Sequence, residues 1–368
     1  MALDSHDIAI IYGSDARTMT RSLIEHADLK NMVSNRDAHI VIKPNLVVAK
    51  NSGEGATTHV EIVQTIVEYL LAHGFTHLSI AESAWVGDDT RRAFCVNGYE
   101  ELSKNTDIPL IDVKRDTYQI MNKHGIRMEI SKTIMDCDFL INIPVLKGHC
   151  QTHMTCALKN MKGCLSDRSK RQFHSMGLHT PIATLNSIRC ANVVIVDSLN
   201  GDLDFEEGGN PVATNRMMIG RDSVLIDAHG ARLLGFDIKD ISYIALAEQF
   251  GVGSADITKA NIVYLNKDEI NNYSRPIGRA RQLLQHVDER SACSACTGNL
   301  VHALARLDEQ HLLSKLQAKI SIGQEFKHIA SDGIGIGHCT RLFAHSAYGC
   351  PPDALTVLKF LTSIIVEQ

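Results

Sequence analysis

Apolar runs of four or five residues at 8–12, 39–42, 77–81, 110–113, 139–143 and 193–196 predict short buried strands. Between them the apolar spacing changes to the helical period. Over 60–73, Val63, Ile66, Val67, Leu70 and Leu71 fall on one helical face, and 225–234 reads the same way. Strands alternating with helices predict an α/β fold, with a largely parallel sheet flanked by helices. Around 266–290 the text turns polar and charged, with Asn-Asn, Arg-Pro and Asp-Glu-Arg, which marks a linker. The boundary is expected near 268, giving an α/β domain over 1–267 and a smaller C-terminal α/β unit over 268–368. That unit reads as a helix at 297–307, a strand at 319–322, a glycine-rich turn at 333–337 and a helix after Pro352.

Composition is ordinary for a globular chain of 368 residues, at 44% hydrophobic and 21% charged with a net charge of −5. That balance argues against a nucleic-acid-coating protein, and 5% aromatics with a single tryptophan, Trp85, argues against a base-stacking surface. The unusual figures are 18 histidines and 10 cysteines. The N-terminal residues carry neither a basic nor an apolar leader pattern, and no run of about eighteen apolar residues is present. A cytoplasmic protein with no membrane span is expected. In a reducing compartment the cysteines divide among buried fillers, metal or cluster ligands and catalytic thiols.

Four cysteines lie in the C-terminal unit: Cys293 and Cys296 as Cys-Ser-Ala-Cys, then Cys339, then Cys350 followed by Pro351. Two intervening residues bring the first pair of thiolates to one side of a helix start. The second pair is ten residues apart and meets the first only when the domain closes. Structural zinc usually takes two tight pairs, whereas a Cys-Pro ending resembles the last ligand of ferredoxin-type runs. One [4Fe-4S] cluster is therefore favoured over zinc. The bland alternative is a zinc or thiol-redox site at Cys293 and Cys296, with Cys339 and Cys350 as fillers. The Gly-x-Gly-x-Gly run at 333–337 would let backbone N–H groups approach cluster sulfides. It lacks the dinucleotide spacing, and no phosphate-loop sequence is present.

The segment 143–179 carries Lys147, Lys159, Lys162, Arg168, Lys170 and Arg171 against Asp167, a net +5, so the remaining chain carries −10. The charges interleave with His149, His153, His174 and His179 and with Cys150, Cys156 and Cys164. Such local contrast suits a carboxylate or phosphate ligand, although a solvated basic helix face is the commoner meaning of a charge cluster. In open parallel sheets ligands sit beyond the carboxyl ends of strands. Those ends are expected to carry Lys43-Pro44-Asn45, Glu82-Ser83, Lys147-Gly148-His149 and Asp197-Ser198. Lys43 and Lys147 are read as catalytic, with His149 or His153 moving protons near neutral pH. Asn45, Glu82, Lys159, Asn160, Lys162 and Asp197 are read as substrate-binding. His149 and His153, four apart, would share a helix face and could bind a metal with Cys150 or Cys156, but such pairs are more often hydrogen-bonded or exposed. Asp227 reads as lying near a helix N-terminus. Cys95, Cys137 and Cys190 read as core fillers.

Lys43-Pro-Asn-Leu-Val47, Ala81-Glu-Ser83, Asn142-Ile-Pro-Val-Leu-Lys147 with His149, Thr155-Cys-Ala-Leu-Lys-Asn-Met-Lys-Gly163 and Ile195-Val-Asp197 through Gly208-Gly-Asn-Pro211 occur in one order. Together they resemble the iron-sulfur associated domain of unknown function family 362 over roughly residues 5 to 255, most specifically at 147–163. The resemblance implies a companion ferredoxin-like segment. Without the tight two-cluster run, a single cluster is implied. The family name implies no reaction.

The functional expectation is an iron-sulfur oxidoreductase acting on a small anionic substrate, with a ferredoxin-like electron donor and a second copy of the chain as protein partners. Two other classes remain open. One is a lyase or isomerase using the cluster as a Lewis acid, and the other is a non-catalytic electron carrier or redox sensor.

Overall fold

The structure, a computed structural model, describes residues 3–203, 205–266 and 279–367. The chain divides into two units. The first comprises Met1–His149, Met154–Gln172 and His179–Arg275, and the second comprises Cys150–His153, Phe173–Leu178 and Pro276–Gln368. The expected boundary near 268 lies outside the described residues.

The strands of the first unit are β1 (Asp7–Tyr12), β2 (Ile40–Lys43), β3 (Leu78–Glu82), β4 (Leu110–Asp112), β5 (Tyr118–Lys123), β6 (Ile126–Ser131), β7 (Phe139–Asn142), β8 (Lys147–His149), β9 (His153–Thr155), β10 (Val193–Asp202), β11 (Pro211–Gly220) and β12 (Asn261–Tyr264). Among the described residues, eight of them form one sheet in the order β12-β1-β11-β10-β7-β2-β3-β4. Every pairing is parallel except those of β11, which runs opposite to both β1 and β10. The fold is thus α/β with a largely parallel sheet. Its central strands are buried on both faces, which is why β2 (IVIK) and β7 (FLIN) read as unbroken apolar runs and not as alternations. The Ala16–His26 and Val60–Ala72 helices pack against each other over one face. Ala9, Ile11, Ile40, Ile42, Ile195, Met217 and Ile219 turn toward that core. The Ser223–Leu233 helix packs with Ala157–Asn160 and Ser242–Gln249.

The strands expected from apolar runs coincide with β1, β2, β3, β4, β7 and the start of β10. Strand β11 was not legible, because its outer half, PVATN, begins with proline, forms no continuous apolar run and is nowhere fully buried. His149 and His153 do not share a helix face: Lys147–His149 and His153–Thr155 form a two-stranded ribbon, and His153 has φ 64°.

In the second unit, β13 (Val287–Glu289), β14 (Ile320–Ile322), β15 (Ser331–Ile336) and β16 (Phe343–Ala347) form a parallel sheet in chain order, with helices at Ser294–Glu309 and Ala354–Glu367. The run at 333–337 is not a turn. It is mostly strand β15, where Gly335 has no room for a side chain because Thr340 would lie 2.5 Å from an added Cβ. Among the described residues no helix is long and apolar enough to cross a membrane.

Asp227 lies inside the Ser223–Leu233 helix, whose own cap is Asp222. Its carboxylate accepts from Ala157 N at 2.7 Å and Leu158 N at 3.3 Å, so it caps the next helix over, Ala157–Asn160. Burial pushes this carboxyl up to about 7, against the opposing pull of the two N–H donors. A raised carboxyl binds its proton more tightly when folded, so its contribution is full below the ordinary carboxylate range and is lost as pH rises to about 7. Urea midpoints measured at pH 5 and 7.5 are expected to fall with pH in the wild type and to fall less in Asp227→Asn. Parallel profiles for the two proteins would contradict this assignment.

Candidate functional site

The parallel register of β2 with β3 (Ile42 opposite Ile80) and with β7 (Lys43 opposite Asn142) brings three polar residues to one end of the sheet. Lys43 Nζ lies 2.7 Å from Glu82 Oε2, and both side chains are almost fully buried. Glu82 also accepts from Ser83 N at 2.6 Å and Leu46 N at 3.4 Å. Gly163 covers the pair, since a Cβ there would lie 1.9 Å from Glu82 Oε1 and 2.7 Å from Lys43 Nζ. Its carbonyl accepts from Ser83 Oγ at 2.7 Å, and Lys170 Nζ reaches Ser83 Oγ at 2.5 Å and Ala84 O at 2.7 Å. Asn160 Nδ2 donates to Asn142 Oδ1 at 2.7 Å and Pro44 O at 3.3 Å, which ties the Ala157–Asn160 helix to the strand ends.

Beside this pair lie Lys147, Lys159 and Lys162. Lys147 Nζ donates to two main-chain carbonyls, Ala56 O at 2.5 Å and Glu206 O at 2.8 Å. Lys159 Nζ donates to Thr155 Oγ1 at 3.0 Å. Burial first, and the like charge of Lys159 next, push Lys147 down to about 7. Lys162 keeps part of its surface open, yet desolvation and then Lys159 and Lys170 hold it well below the ordinary lysine range. Burial likewise lowers Lys170 to about 8, with Glu82 opposing. The Glu206 carboxylate acts on both Lys147 and Lys162 and meets His149 Nε2 at 3.3 Å.

The sequence-based candidates therefore separate. Lys43, Glu82, Lys147, Lys159, Asn160 and Lys162 belong to one electrostatic group, with His149 joined to it through Glu206. Asp197 instead accepts from His59 N at 2.9 Å and from His59 Nδ1 at 2.8 Å. Burial alone would lower His59, but the Asp197 carboxylate more than offsets this and the net shift is upward. Asn45 closes a local turn through Val47 N and Thr58. His153 lies in β9. Glu206, Gly163 and His59 were missed, whereas Ser83 was expected at a polar strand end. Glu206 sits in a polar loop with no pattern, while Gly163 adjoins Lys162 in the chain and could have been singled out. Of the expected fillers, Cys137 is buried, Cys190 is half-buried and Cys95 is exposed. Cys156 and Cys164 are fully buried, and desolvation pushes Cys164 up to about 12, so neither is a ready nucleophile.

In the second unit, Cys293 is the N-cap of the Ser294–Glu309 helix, and Cys296 lies in its first turn. Burial, then the like charges of Cys293, Cys350 and Cys339, push the Cys296 thiol up to about 12. Cys293 is raised by burial and then by Cys339 and Cys350, while Gln324 Nε2 donates to its sulfur at 3.6 Å. Gly337, with φ +90°, passes close enough that a Cβ would lie 3.6 Å from Cys296 Sγ. Asn299 Nδ2 donates to Pro352 O at 2.8 Å and so fixes the loop carrying Cys350 to the same helix. Cys293 and Cys296, raised by burial and by the neighbouring thiols, belong to a set of sulfur donors suited to a cation, because a bound positive centre reverses that repulsion.

A mostly parallel α/β protein with a buried, lysine-rich strand-end site is the class these features define. The chain belongs to the family described as domain of unknown function (DUF362), which matches residues 40–232, more than half of its length. A thylakoid-associated protein of Synechocystis sp. is 30% identical over 155 residues, which cover 42% of this chain and 47% of that protein. The chain thus spans about half the length of that curated relative. Among solved structures, the lactate racemase apoprotein from Thermoanaerobacterium thermosaccharolyticum superposes with a TM-score of 0.42 and 13% identity, covering 61% of this chain and 56% of that one.

Gly163→Ala is expected to drive Glu82 from Lys43 and to lower the melting temperature by several degrees, in line with an overpacking cost of about 1–3 kcal/mol. A melting temperature unchanged within about 1 °C would show that Gly163 is not the cover of the pair.

Proposed function

We propose that the protein is a [4Fe-4S]-containing enzyme, an oxidoreductase acting on a small anionic substrate at the Lys43–Lys162 strand-end site. The observation that carries the cluster reading is the mutual electrostatic crowding of Cys293, Cys296, Cys339 and Cys350. Their spacing supports a cluster over a single zinc. Tetrahedral zinc with Zn–S of about 2.3 Å would draw its thiolates to about 3.8 Å from one another. Among the described residues, however, no three of these four sulfurs lie within 4.8 Å of one another. When bound by the four thiolates, the cluster would supply one-electron redox chemistry, with the electron drawn from a ferredoxin-like donor.

The chain's own residues have separate tasks. Lys43 and Glu82 hold the end of the sheet in register. Lys159, Lys162 and Asn160 bind and orient an anionic group of the substrate, whose negative charge relieves the repulsion among the buried ammoniums. The Lys147 amine, anchored on two carbonyls, holds or releases a proton at Nζ. A homodimer belongs to the same proposal.

A second reading is favoured by the His149–Glu206 pair, two donors that could hold a mononuclear ion that polarises a substrate oxygen in a lyase or isomerase reaction. Metal analysis of Glu206→Gln separates the two. Loss of one equivalent of non-cluster metal supports the second reading, and unchanged metal content removes it.

Anaerobic purification of the wild type is expected to yield about four iron and about four acid-labile sulfide per chain, with cluster absorbance lost in Cys296→Ala. One zinc per chain without iron would overturn the cluster. In a screen of small carboxylates and phosphate esters with reduced ferredoxin, the substrate turned over by the wild type is expected to be lost by Lys159→Met while visible absorbance persists. Wild-type turnover by Lys159→Met would overturn the pocket.

A further inference from the structure

Strand β11 alternates, so Met217 and Ile219 point into the core beneath the Ala16–His26 helix and Arg216 points to the opposite face. There Arg216 is only 9% exposed, and His229, from the Ser223–Leu233 helix, is 7% exposed. The guanidinium has neutral partners. One terminal nitrogen donates to Ser198 Oγ at 3.2 Å, and the side chain bonds the Tyr12 phenol opposite it in the β1–β11 register. Ser198 Oγ is itself 3.0 Å from Thr214 Oγ1. The foremost groups acting on the charge of Arg216 are Tyr12, Tyr264 and Cys156. Those that act on His229 are Arg216 and Arg232, both positive.

Two polar atoms are left over in this layer. Arg216 Nε and His229 Nε2 are buried without a hydrogen-bond partner. A buried guanidinium is always charged, and burying it without a counter-charge costs several kcal/mol. A buried donor left unmade adds about 1–3 kcal/mol. Arg216 Nε–H is a donor, and the neutral His229 ring offers a second in its Nε2–H tautomer, so a single acceptor bearing negative charge removes both deficits. A water molecule would satisfy the bonds but leave the charge uncompensated.

We propose that Arg216 and His229 form an anion site that takes the carboxylate or phosphate group of a small molecule between β11 and the Ser223–Leu233 helix. Ser198 and Tyr12 hold the guanidinium in place, and its Nε–H and the His229 ring meet the anion. The site uses none of Lys43, Lys147, Lys159 or Lys162. It does not depend on the cluster reading.

Isothermal titration of the full chain with inorganic phosphate and with malonate, at constant ionic strength, tests it. Saturable binding of at least one of the two is expected, weakened at least about tenfold by His229→Phe, which keeps the ring volume and removes the polar atom, and abolished by Arg216→Met. Should Arg216→Met not fold, His229→Phe carries the test. In Lys159→Met, whatever becomes of anion binding at the strand-end site, the binding event that His229→Phe weakens is expected to persist. Absence of saturable binding to either probe overturns the proposal. Binding that survives His229→Phe but is lost in Lys159→Met also overturns it, because the anion then belongs to the strand-end site.

Discussion

The buried ion pair between Lys43 and Glu82 is the contact around which the polar end of the large sheet is built. Both residues end parallel strands, and their 2.7 Å separation leaves each charge compensated in an interior that water does not reach. Such a pair adds little net stability against an apolar alternative. Breaking it by removing one partner typically costs about 3–5 kcal/mol, because the survivor is stranded. That asymmetry explains the crowding above it. The carboxylate takes two main-chain donors as well as the ammonium, Gly163 lies where no side chain fits, and Ser83 and Lys170 close the surface by bonding to each other and to main chain. The Ala157–Asn160 helix is held from both ends, by Asn160 on the strand ends and by Asp227 at its first N–H groups.

The neighbouring lysines obey a different rule. Lys147 is satisfied by carbonyls and not by a carboxylate, so its charge is solvated locally but remains exposed to Lys159. Buried like charges of this kind are tolerated when one of them gives up its proton, or when an anion joins them. The thiols of the second unit are the mirror case. There burial and the neighbouring thiols raise Cys293 and Cys296 above the ordinary cysteine range.

Much of this architecture was legible along the chain. A strand buried on both faces must be apolar throughout, so β1, β2, β3, β4, β7 and the start of β10 announced themselves, and the rule that polar residues gather at the carboxyl ends of such strands pointed to Lys43, Glu82 and Lys147. Strand β11 did not announce itself, because its outer half begins with proline and carries no continuous apolar run. The glycines at 333–337 looked like a turn because their scarcity of side chains is common to turns and to tightly packed strands. Asp227 was read as belonging to a helix start, which is so, but the helix it caps is not its own.

The sequence by itself determined the layer architecture, the family, the polar strand ends and the four-cysteine inventory, since each depends on residue type at short range or on spacing along one element. Tertiary structure alone decided which of those residues meet. Asp197 turned to His59, Asn45 closed its own turn, Glu206 arrived from a patternless loop to join His149, and Arg216 found itself buried beside His229. Those outcomes depend on strand order and on which face each side chain takes. Chain separation carries no record of either when the partners stand tens of residues apart.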